Sequence, residues 1–212
     1  MTRRTGWQDQ LISAADLALR TLTAPSAGAR SSPAENLPEV DLAPDERRTS
    51  IALMRVNHAG EVTAQALYSG QSVFARTEET RHHLEQAAEE EQDHLAWCSK
   101  RLTELGGRAS LLDPIWYGGG FLLGLLAGSA GDRISLGFIA ETERQVEAHL
   151  QDHLQRLPQA DRRSAAILEA MAHDEAHHGT TARLAGGLDP PAAVRSAMAV
   201  GGELLRRIAL RV

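Results

Sequence analysis

Hydrophobic residues along this chain recur every three or four positions, a pattern that predicts amphipathic α-helices. Four long helices are predicted, over residues 46–76, 78–105, 132–157 and 160–185. Their ends carry the expected signals, since Gly106-Gly107 follows the second helix, Gly186-Gly187 follows the fourth, and Asp132 is placed to cap the third. The sequence therefore predicts an all-α fold built on a four-helix bundle.

Charged residues interrupt the apolar stripes of three of these helices. The stripe of the second helix consists of Leu84, Ala88, Glu91, Leu95, Cys98, Leu102 and Leu105. In the third helix Glu143 lies among aliphatic residues, and the fourth places Glu175 and His178 in its stripe. A buried carboxylate without a partner is strongly destabilising, so these groups need a source of positive charge.

A Glu-x-x-His pair occurs in the second helix and again in the fourth, and this spacing puts both side chains on one helix face. Each pair follows a helix that carries one further glutamate. The six candidate metal ligands are Glu61, Glu91, His94, Glu143, Glu175 and His178. They match the ligand set of ferritin-like di-iron or di-manganese carboxylate proteins, which the bundle resembles. Oxygen-rich ligands with one imidazole for each metal favour iron or manganese over zinc.

The alternative for each position is an ordinary surface or structural role, because a single Glu-x-x-His pair is common by chance. Glu61 is the weakest candidate, since its neighbours on the helix face are mixed in character. Glu141 competes with Glu143 but points away from the stripe.

Several polar residues near these positions are candidates for supporting roles. His149, beside the third stripe, is a candidate catalytic group that handles protons or supports the ligands, with a structural histidine as the alternative. Asp93 and Asp174 are candidates for orienting the ligand histidines. Other polar residues are predicted to face solvent. Glu89 and Glu90 are interpreted as a solvated face, and His58, His153, His173 and His177 as surface or bundle-edge residues.

The charge and composition of the chain narrow the classes of molecule that it is expected to bind and the compartment in which it is expected to work. The net charge of −6 and the lack of a basic block interleaved with aromatic residues make nucleic acid an unexpected partner. Cys98 is the only cysteine, which excludes an internal disulfide and fits a reducing compartment. The first 22 residues lack the apolar core of a signal peptide.

Three regions are predicted along the chain. Residues 1–45 comprise a short helix and a proline-rich linker, 46–188 a ferritin-like domain, and 189–212 an amphipathic, basic C-terminal helix. The stripe of the N-terminal helix is Trp7, Leu11, Ala14, Ala18 and Leu22.

Residues 114–131 form an uncharged segment of 18 residues between the two helix pairs. It is marginally short for a membrane span, which needs about 20 residues. The favoured interpretation is a helix that lies in the membrane interface or lines an apolar entrance to the bundle, with Trp116 and Tyr117 at one end. A buried crossover helix is the alternative.

Four stretches of the sequence resemble the demethoxyubiquinone hydroxylases of ubiquinone biosynthesis. They are "LMRVNHAGEVTAQALYSGQ" (53–71), the run from "EEEQDHLAW" to "LLGLLAG" (89–128), "ETERQVEAHL" and "DEAHHG". The resemblance covers about residues 46–185, and Asn57 stands where some members have aspartate. The metal ligands of the family fall on the six candidates above, and a further histidine of the family falls on His149.

This resemblance implies a di-iron monooxygenase that hydroxylates the ring of a polyprenylated demethoxyubiquinol, with two iron ions as cofactor and O2 as co-substrate. The implied partners are a polyprenyl quinol, the membrane surface and an electron donor or reductase, and homo-oligomerisation is left open. A peripheral position on the cytoplasmic side of the cell membrane is expected if the protein is bacterial. The rival functions are a ferritin-type ferroxidase or iron-storage protein and a non-catalytic quinone- or lipid-binding protein.

Overall fold

The structure, a computed structural model, describes residues 16, 18, 19, 21, 22 and 28–212. Over residues 28–212 the chain forms six α-helices and no strand. They are α1 (Pro44–Ser72), α2 (Glu78–Glu104), α3 (Asp113–Ser129), α4 (Asp132–Arg156), α5 (Arg162–Leu184) and α6 (Ala192–Ala209). The predicted all-α fold is confirmed.

Helices α1, α2, α4 and α5 are the four long helices of the bundle. α1 packs along α2 and α4 along α5, and the two pairs meet where α2 contacts α5 and α1 contacts α4. Apolar side chains fill the interior at both ends of the bundle, with Leu102 and Leu168 in one cluster and Leu84 and Ile139 in another. A short connection joins the two helices of each pair, and one face of each of the four helices is turned towards a common centre.

Asp132 has a different role from the predicted one. The residue that precedes α4 is Gly131, and the Asp132 side chain makes no cap for that helix. Its carboxylate accepts hydrogen bonds from the backbone N–H groups of Arg76 and Thr77, each at 3.0 Å. Asp132 therefore fastens the turn between α1 and α2 to the beginning of α4.

Helix α3 contains residues 114–129 of the uncharged segment, and it packs closely along α1. A methyl group at Gly124 would overlap the carbonyl oxygen of Leu67, and one at Gly120 would lie 2.5 Å from the carbonyl oxygen of Thr63. Glycine at these positions lets the two backbones approach, as small residues do in tightly packed helix pairs. Gly120 and Gly124 of the uncharged segment thus serve the packing of α3 on α1.

The opposite face of α3 is apolar and exposed. Ile115, Leu122 and Leu126 are 62%, 61% and 67% exposed. In the described part of the chain, no helix has both the length and the apolar character that crossing a membrane requires. One face of α3 is therefore buried against α1, and the opposite, apolar face is exposed.

The described segments before α1 and after α5 both contact the bundle. Ala34 and Leu42 are buried in the main apolar cluster, and Ala209 of α6 packs with Val56 and Ala59 of α1. Of the predicted N-terminal stripe, Ala18 and Leu22 are helical, and Ala18 packs beside Val62. Trp7, Leu11 and Ala14 lie outside the described residues.

Candidate metal centre

All six predicted ligand residues lie together in the middle of the bundle. They are Glu61 on α1, Glu91 and His94 on α2, Glu143 on α4, and Glu175 and His178 on α5, and every one is buried. They form two groups in which all donor atoms lie within 4.8 Å of one another. The first group is Glu61, Glu91, His94 and Glu175, and the second is Glu91, Glu143, Glu175 and His178.

Glu91 and Glu175 belong to both groups, because each histidine faces both of these carboxylates. Nδ1 of His94 lies 3.0 Å from Oε2 of Glu91 on its own helix and 3.3 Å from Oε1 of Glu175 on α5. Nδ1 of His178 lies 3.4 Å from an oxygen of each glutamate. The spacing of three residues supplies the contact within each helix, and the packing of α2 on α5 supplies the contact between them.

Burial and neighbouring charges shift the pKa values of the ligand carboxylates in opposite directions. Burial, followed by the charge of Glu91, raises the pKa of Glu61 well above its usual value. Burial and the charge of Glu175 do the same for the pKa of Glu143. The pKa of Glu91 lies well below its usual value, because the imidazoles of His94 and His178 outweigh the effect of burial.

The pKa values of both ligand histidines are raised. Burial alone would lower the pKa of His178, but the carboxylates of Glu175, Glu91 and Glu143 raise it to about 12. The pKa of His94 is also well above its usual value, since Glu91 and other carboxylates outweigh burial. The buried carboxylates therefore favour positive charge at this centre, which either protons on the histidines or metal cations can supply.

Unpaired donor atoms at the centre fit a metal ion. Oε1 of Glu91, Oε1 of Glu143, Oε2 of Glu175 and Nδ1 of His178 are buried and have no hydrogen bond to any described residue. Buried polar atoms without partners are unfavourable, and coordination would satisfy all four. Carboxylate oxygens with one imidazole in each group form a donor set that suits iron or manganese.

The second nitrogen of each histidine is held by an acid from the opposite helix. Nε2 of His94 donates a hydrogen bond to Oδ2 of Asp174 at 3.0 Å, and Nε2 of His178 donates to Oε2 of Glu90 at 2.7 Å. The interpretation of Glu90 as only a solvated residue is therefore wrong. Glu90 and Asp174 each directly precede the glutamate of a Glu-x-x-His pair, which is the sequence signal that identifies both. Such bonds fix the orientation of the imidazole ring.

Among the described residues, the Asp93 carboxylate forms no hydrogen bond or ion pair with a histidine, contrary to the prediction. Its carboxylate accepts hydrogen bonds from the backbone N–H and the side-chain Nε of Arg30, at 3.1 Å and 2.6 Å. The pKa of Asp174 is lowered, because His94 and Arg30 outweigh the effect of burial. The residues before α1 thus reach the back of the centre, which no local pattern in the sequence indicates.

His149 lies outside the two groups and belongs to a neighbouring cluster. His149 donates from Nε2 to Oδ1 of Asn57 at 3.3 Å, and His153 donates from Nδ1 to the same oxygen at 2.9 Å. Burial is the main reason why the pKa values of both histidines fall to about 3. Both rings are therefore neutral at pH 7.

The prediction of His58 and His153 as surface or edge residues is wrong. They are 6% and 1% exposed. Nδ1 of His58 lies 3.3 Å from Oδ2 of Asp113 on α3, and His153 contacts Asn57 on α1. Helix α1 is covered by α2, α3, α4 and α6, so polar residues on several of its faces become buried.

A helical bundle with two overlapping buried groups of glutamate and histidine, each of which could hold a metal ion, has the arrangement of a di-metal carboxylate bundle. The sequence model of the family described as "Ubiquinone biosynthesis protein COQ7" matches residues 48–205. The chain belongs to this family.

Curated relatives match nearly the whole chain. A protein of Nitrosomonas europaea is 56% identical over 95% of this chain and 97% of its own length. One from Cupriavidus metallidurans is 53% identical over 96% of this chain and 100% of its own length. One from Xanthomonas euvesicatoria is 52% identical over 96% of this chain and 94% of its own length. All three are named 3-demethoxyubiquinol 3-hydroxylase.

Proposed function

We propose that this chain is a di-iron monooxygenase that hydroxylates the ring of a polyprenylated 3-demethoxyubiquinol with O2, in ubiquinone biosynthesis. The observation that carries the proposal is the sharing of Glu91 and Glu175 between two buried donor groups. Family membership and the names of the relatives support the same activity. Two ions would be held, one by Glu61 with His94 and the other by Glu143 with His178, and both by the shared glutamates.

Iron, when bound, supplies the activation of O2 that a hydroxylation needs. The protein keeps the donor atoms largely out of contact with water, since each of the six ligand residues is at most 8% exposed. Asp174 and Glu90 keep the two imidazole rings turned towards the carboxylates. The bundle therefore largely excludes water from the metal centre, while Asp174 and Glu90 orient the histidine ligands and add negative charge behind them.

His149 is the proposed proton-handling residue. Its imidazole is neutral at pH 7, and because its pKa is only about 3 the ring would pass a proton on and not store it. The nearby Glu175 carboxylate acts to raise this pKa, but burial outweighs it. A cavity of about 440 Å³ between α4 and α6 is lined by His149, His153 and Arg206. The cavity opens His149 towards solvent, and Glu175 of the metal centre lies near enough to act on the pKa of His149.

The exposed face of α3 is the proposed site of peripheral membrane contact. A polyprenylated quinol resides in the lipid phase, so the protein has to meet that phase. Ile115, Leu122 and Leu126 offer an apolar surface on one helix. In a vesicle sedimentation assay, the double variant Leu122→Ser, Leu126→Ser is expected to lose binding. Leu184→Ser, which removes a leucine that is 84% exposed at the end of α5, serves as the control and is expected to bind normally.

The direct test supplies ferrous iron to the protein without oxygen, adds a short-chain demethoxyubiquinol, admits O2 and measures the mass of the quinol. A gain of one oxygen atom is expected for the native chain and for Glu89→Ala, and none for Glu91→Ala. Oxidation of iron with an unchanged quinol would indicate a ferroxidase. A chain that retains no iron yet binds the quinol would indicate a non-catalytic carrier.

A further inference from the structure

Residues 28–30, here called the N-terminal arm, lie against the outside of the metal centre. Asp93 on α2 accepts a hydrogen bond from the backbone N–H of Ala29 at 2.5 Å and further bonds from Arg30. A methyl group on Gly28 would lie 2.8 Å from Oδ1 of Asp93, so the arm and the helix touch without a gap. The arm is thus attached to α2 one residue before His94.

Trp97 gives the arm a second attachment. Its Nε1–H donates a hydrogen bond to the carbonyl oxygen of Arg30 at 3.3 Å. The Arg30 guanidinium lies 4.8 Å from the centre of the Trp97 ring, a cation–π distance. These contacts give the guanidinium a fixed position instead of a free surface rotamer.

The guanidinium connects the two acids behind the centre. Nε of Arg30 lies 2.6 Å from Oδ2 of Asp93 on α2, and its terminal NH2 nitrogen lies 2.9 Å from Oδ2 of Asp174 on α5. The same Oδ2 of Asp174 accepts the hydrogen bond from Nε2 of His94 at 3.0 Å. Arg30, Asp174 and His94 therefore form one continuous chain of charge-assisted bonds.

The other half of the centre has no such reinforcement among the described residues. Nε2 of His178 donates to Glu90, whose side chain is 29% exposed. Glu90 otherwise bonds only Gln86, and no arginine or lysine of the described chain lies within 4.0 Å of its carboxylate. The side chain of Asp174 is 17% exposed. The two halves of the centre have matching ligand residues, but only the acid behind His94 is itself bound by an arginine among the described residues.

We propose that the N-terminal arm makes the two metal positions unequal. Arg30 is a positioning residue that immobilises Asp174 and, through it, His94, so the position built on His94 retains its ion longer than the position built on His178. This inference rests on the proposed function, because it concerns the same two metal positions. It assigns a role in the metal centre to a segment that precedes the bundle helices.

The test measures how fast ferrous iron leaves the loaded protein, under anaerobic conditions, to a chelator that becomes coloured on binding iron. The native chain is expected to lose its iron in one fast and one slow phase. Arg30→Gln is expected to accelerate the slow phase about tenfold and to leave the fast phase unchanged, since residues behind metal ligands contribute about 10- to 100-fold to metal affinity. Arg30→Lys, which keeps the charge but cannot bond both acids as a fork, is expected to fall in between.

Two matched variants assign the phases. Glu90→Ala removes the partner of His178 and is expected to accelerate the fast phase alone. Arg47→Gln removes an exposed arginine that lies 4.0 Å from Asp41, and it is expected to change neither phase. If Arg30→Gln does not fold, Gly28→Ala replaces it, because the added methyl group displaces the arm from Asp93 while every charge remains.

The outcomes separate this inference from the proposed function. An unchanged slow phase in a folded Arg30→Gln protein, or an equal acceleration of both phases, would overturn the role of Arg30. A native chain that loses both ions in a single phase would overturn the inequality of the two positions. A native chain that holds no iron at all would instead overturn the proposed function.

Discussion

Glu90 of α2 accepts a hydrogen bond from His178 of α5, with 2.7 Å between Oε2 and Nε2. The equivalent bond in the other direction joins His94 of α2 to Asp174 of α5. Each Glu-x-x-His helix therefore supplies the acid that orients the histidine of the other. This exchange ties the two helix pairs together at the centre, where four buried carboxylates would otherwise repel one another.

Removing a shared glutamate is expected to affect metal binding more than removing an unshared one. Glu91 belongs to both donor groups, so Glu91→Ala should lose both ions, whereas Glu143→Ala should lose only one. The measurement is the ratio of iron to protein after gel filtration without oxygen. Glu89→Ala, which changes an exposed neighbour, should retain the native ratio. Equal losses in Glu91→Ala and Glu143→Ala would contradict the sharing of Glu91.

Two glycines of α3 are expected to respond oppositely to the same substitution. Gly124→Ala should lower the free energy of unfolding by about 1–3 kcal/mol, because the new methyl group meets the carbonyl oxygen of Leu67. Gly118→Ala should raise it by roughly 0.5–1 kcal/mol, because nothing lies within 4 Å of its added methyl group. Urea denaturation measures both. If Gly124→Ala were as stable as the native chain, the close packing of α3 on α1 would be refuted.

The buried histidine pair is expected to make the protein sensitive to acid. The pKa of His153 is about 3 in the folded chain and about 6.5 in an unfolded one, so between these values the unfolded chain binds the extra proton. Stability should therefore decline as the pH falls from about 6.5 towards 3, with His153 contributing up to about 1.4 kcal/mol per pH unit.

His153→Gln should weaken this decline in urea denaturation curves recorded at a series of pH values. The control is His82→Gln, which changes an exposed side chain in the first turns of α2. Parallel declines for His153→Gln and the native chain would show that His153 is not held neutral by burial.

Arg101 is expected to be a large contributor to stability outside the metal centre. It is 1% exposed, and its guanidinium donates to Asp161 at 2.8 Å, Glu39 at 2.6 Å and Ser164 at 3.0 Å. Arg101→Ala should cost about 3–5 kcal/mol of unfolding free energy, because it leaves a buried carboxylate unpaired. Arg156→Ala breaks only an exposed pair with Asp152 and should cost less than about 1 kcal/mol. Similar costs for the two variants, measured by chemical denaturation, would count against this role for Arg101.

The bundle helices and the group of six donor residues could be predicted because their signals are local. The spacing of apolar residues sets the helices, and a glutamate in an apolar stripe must face the interior wherever that stripe is buried. Glu61 was the weakest candidate because its neighbours include His58 and Gln65. Both of these are buried, since α1 is covered on several sides.

The features that sequence reasoning missed depend on contacts between distant segments. His153 is buried because Asn57, on another helix, accepts its N–H. Arg30 reaches Asp174 across 144 positions of sequence, and nothing in the composition of residues 23–44 indicates that contact. Asp132 carries a side chain able to cap a helix and lies in the first turn of α4, yet the backbone N–H groups of Arg76 and Thr77 are the donors that it meets.

The most direct test of the central claim is the origin of the oxygen atom in the product. Iron-loaded, reduced protein would react with a short-chain demethoxyubiquinol under O2 enriched in a heavy oxygen isotope, and mass analysis would follow the quinol. We expect one heavy oxygen atom in the product of the native chain and of Glu89→Ala, and unchanged substrate with Glu91→Ala or Glu175→Ala. A product without the heavy isotope, or equal labelling in the Glu91 and Glu175 variants, would contradict a monooxygenase that works through the two shared glutamates.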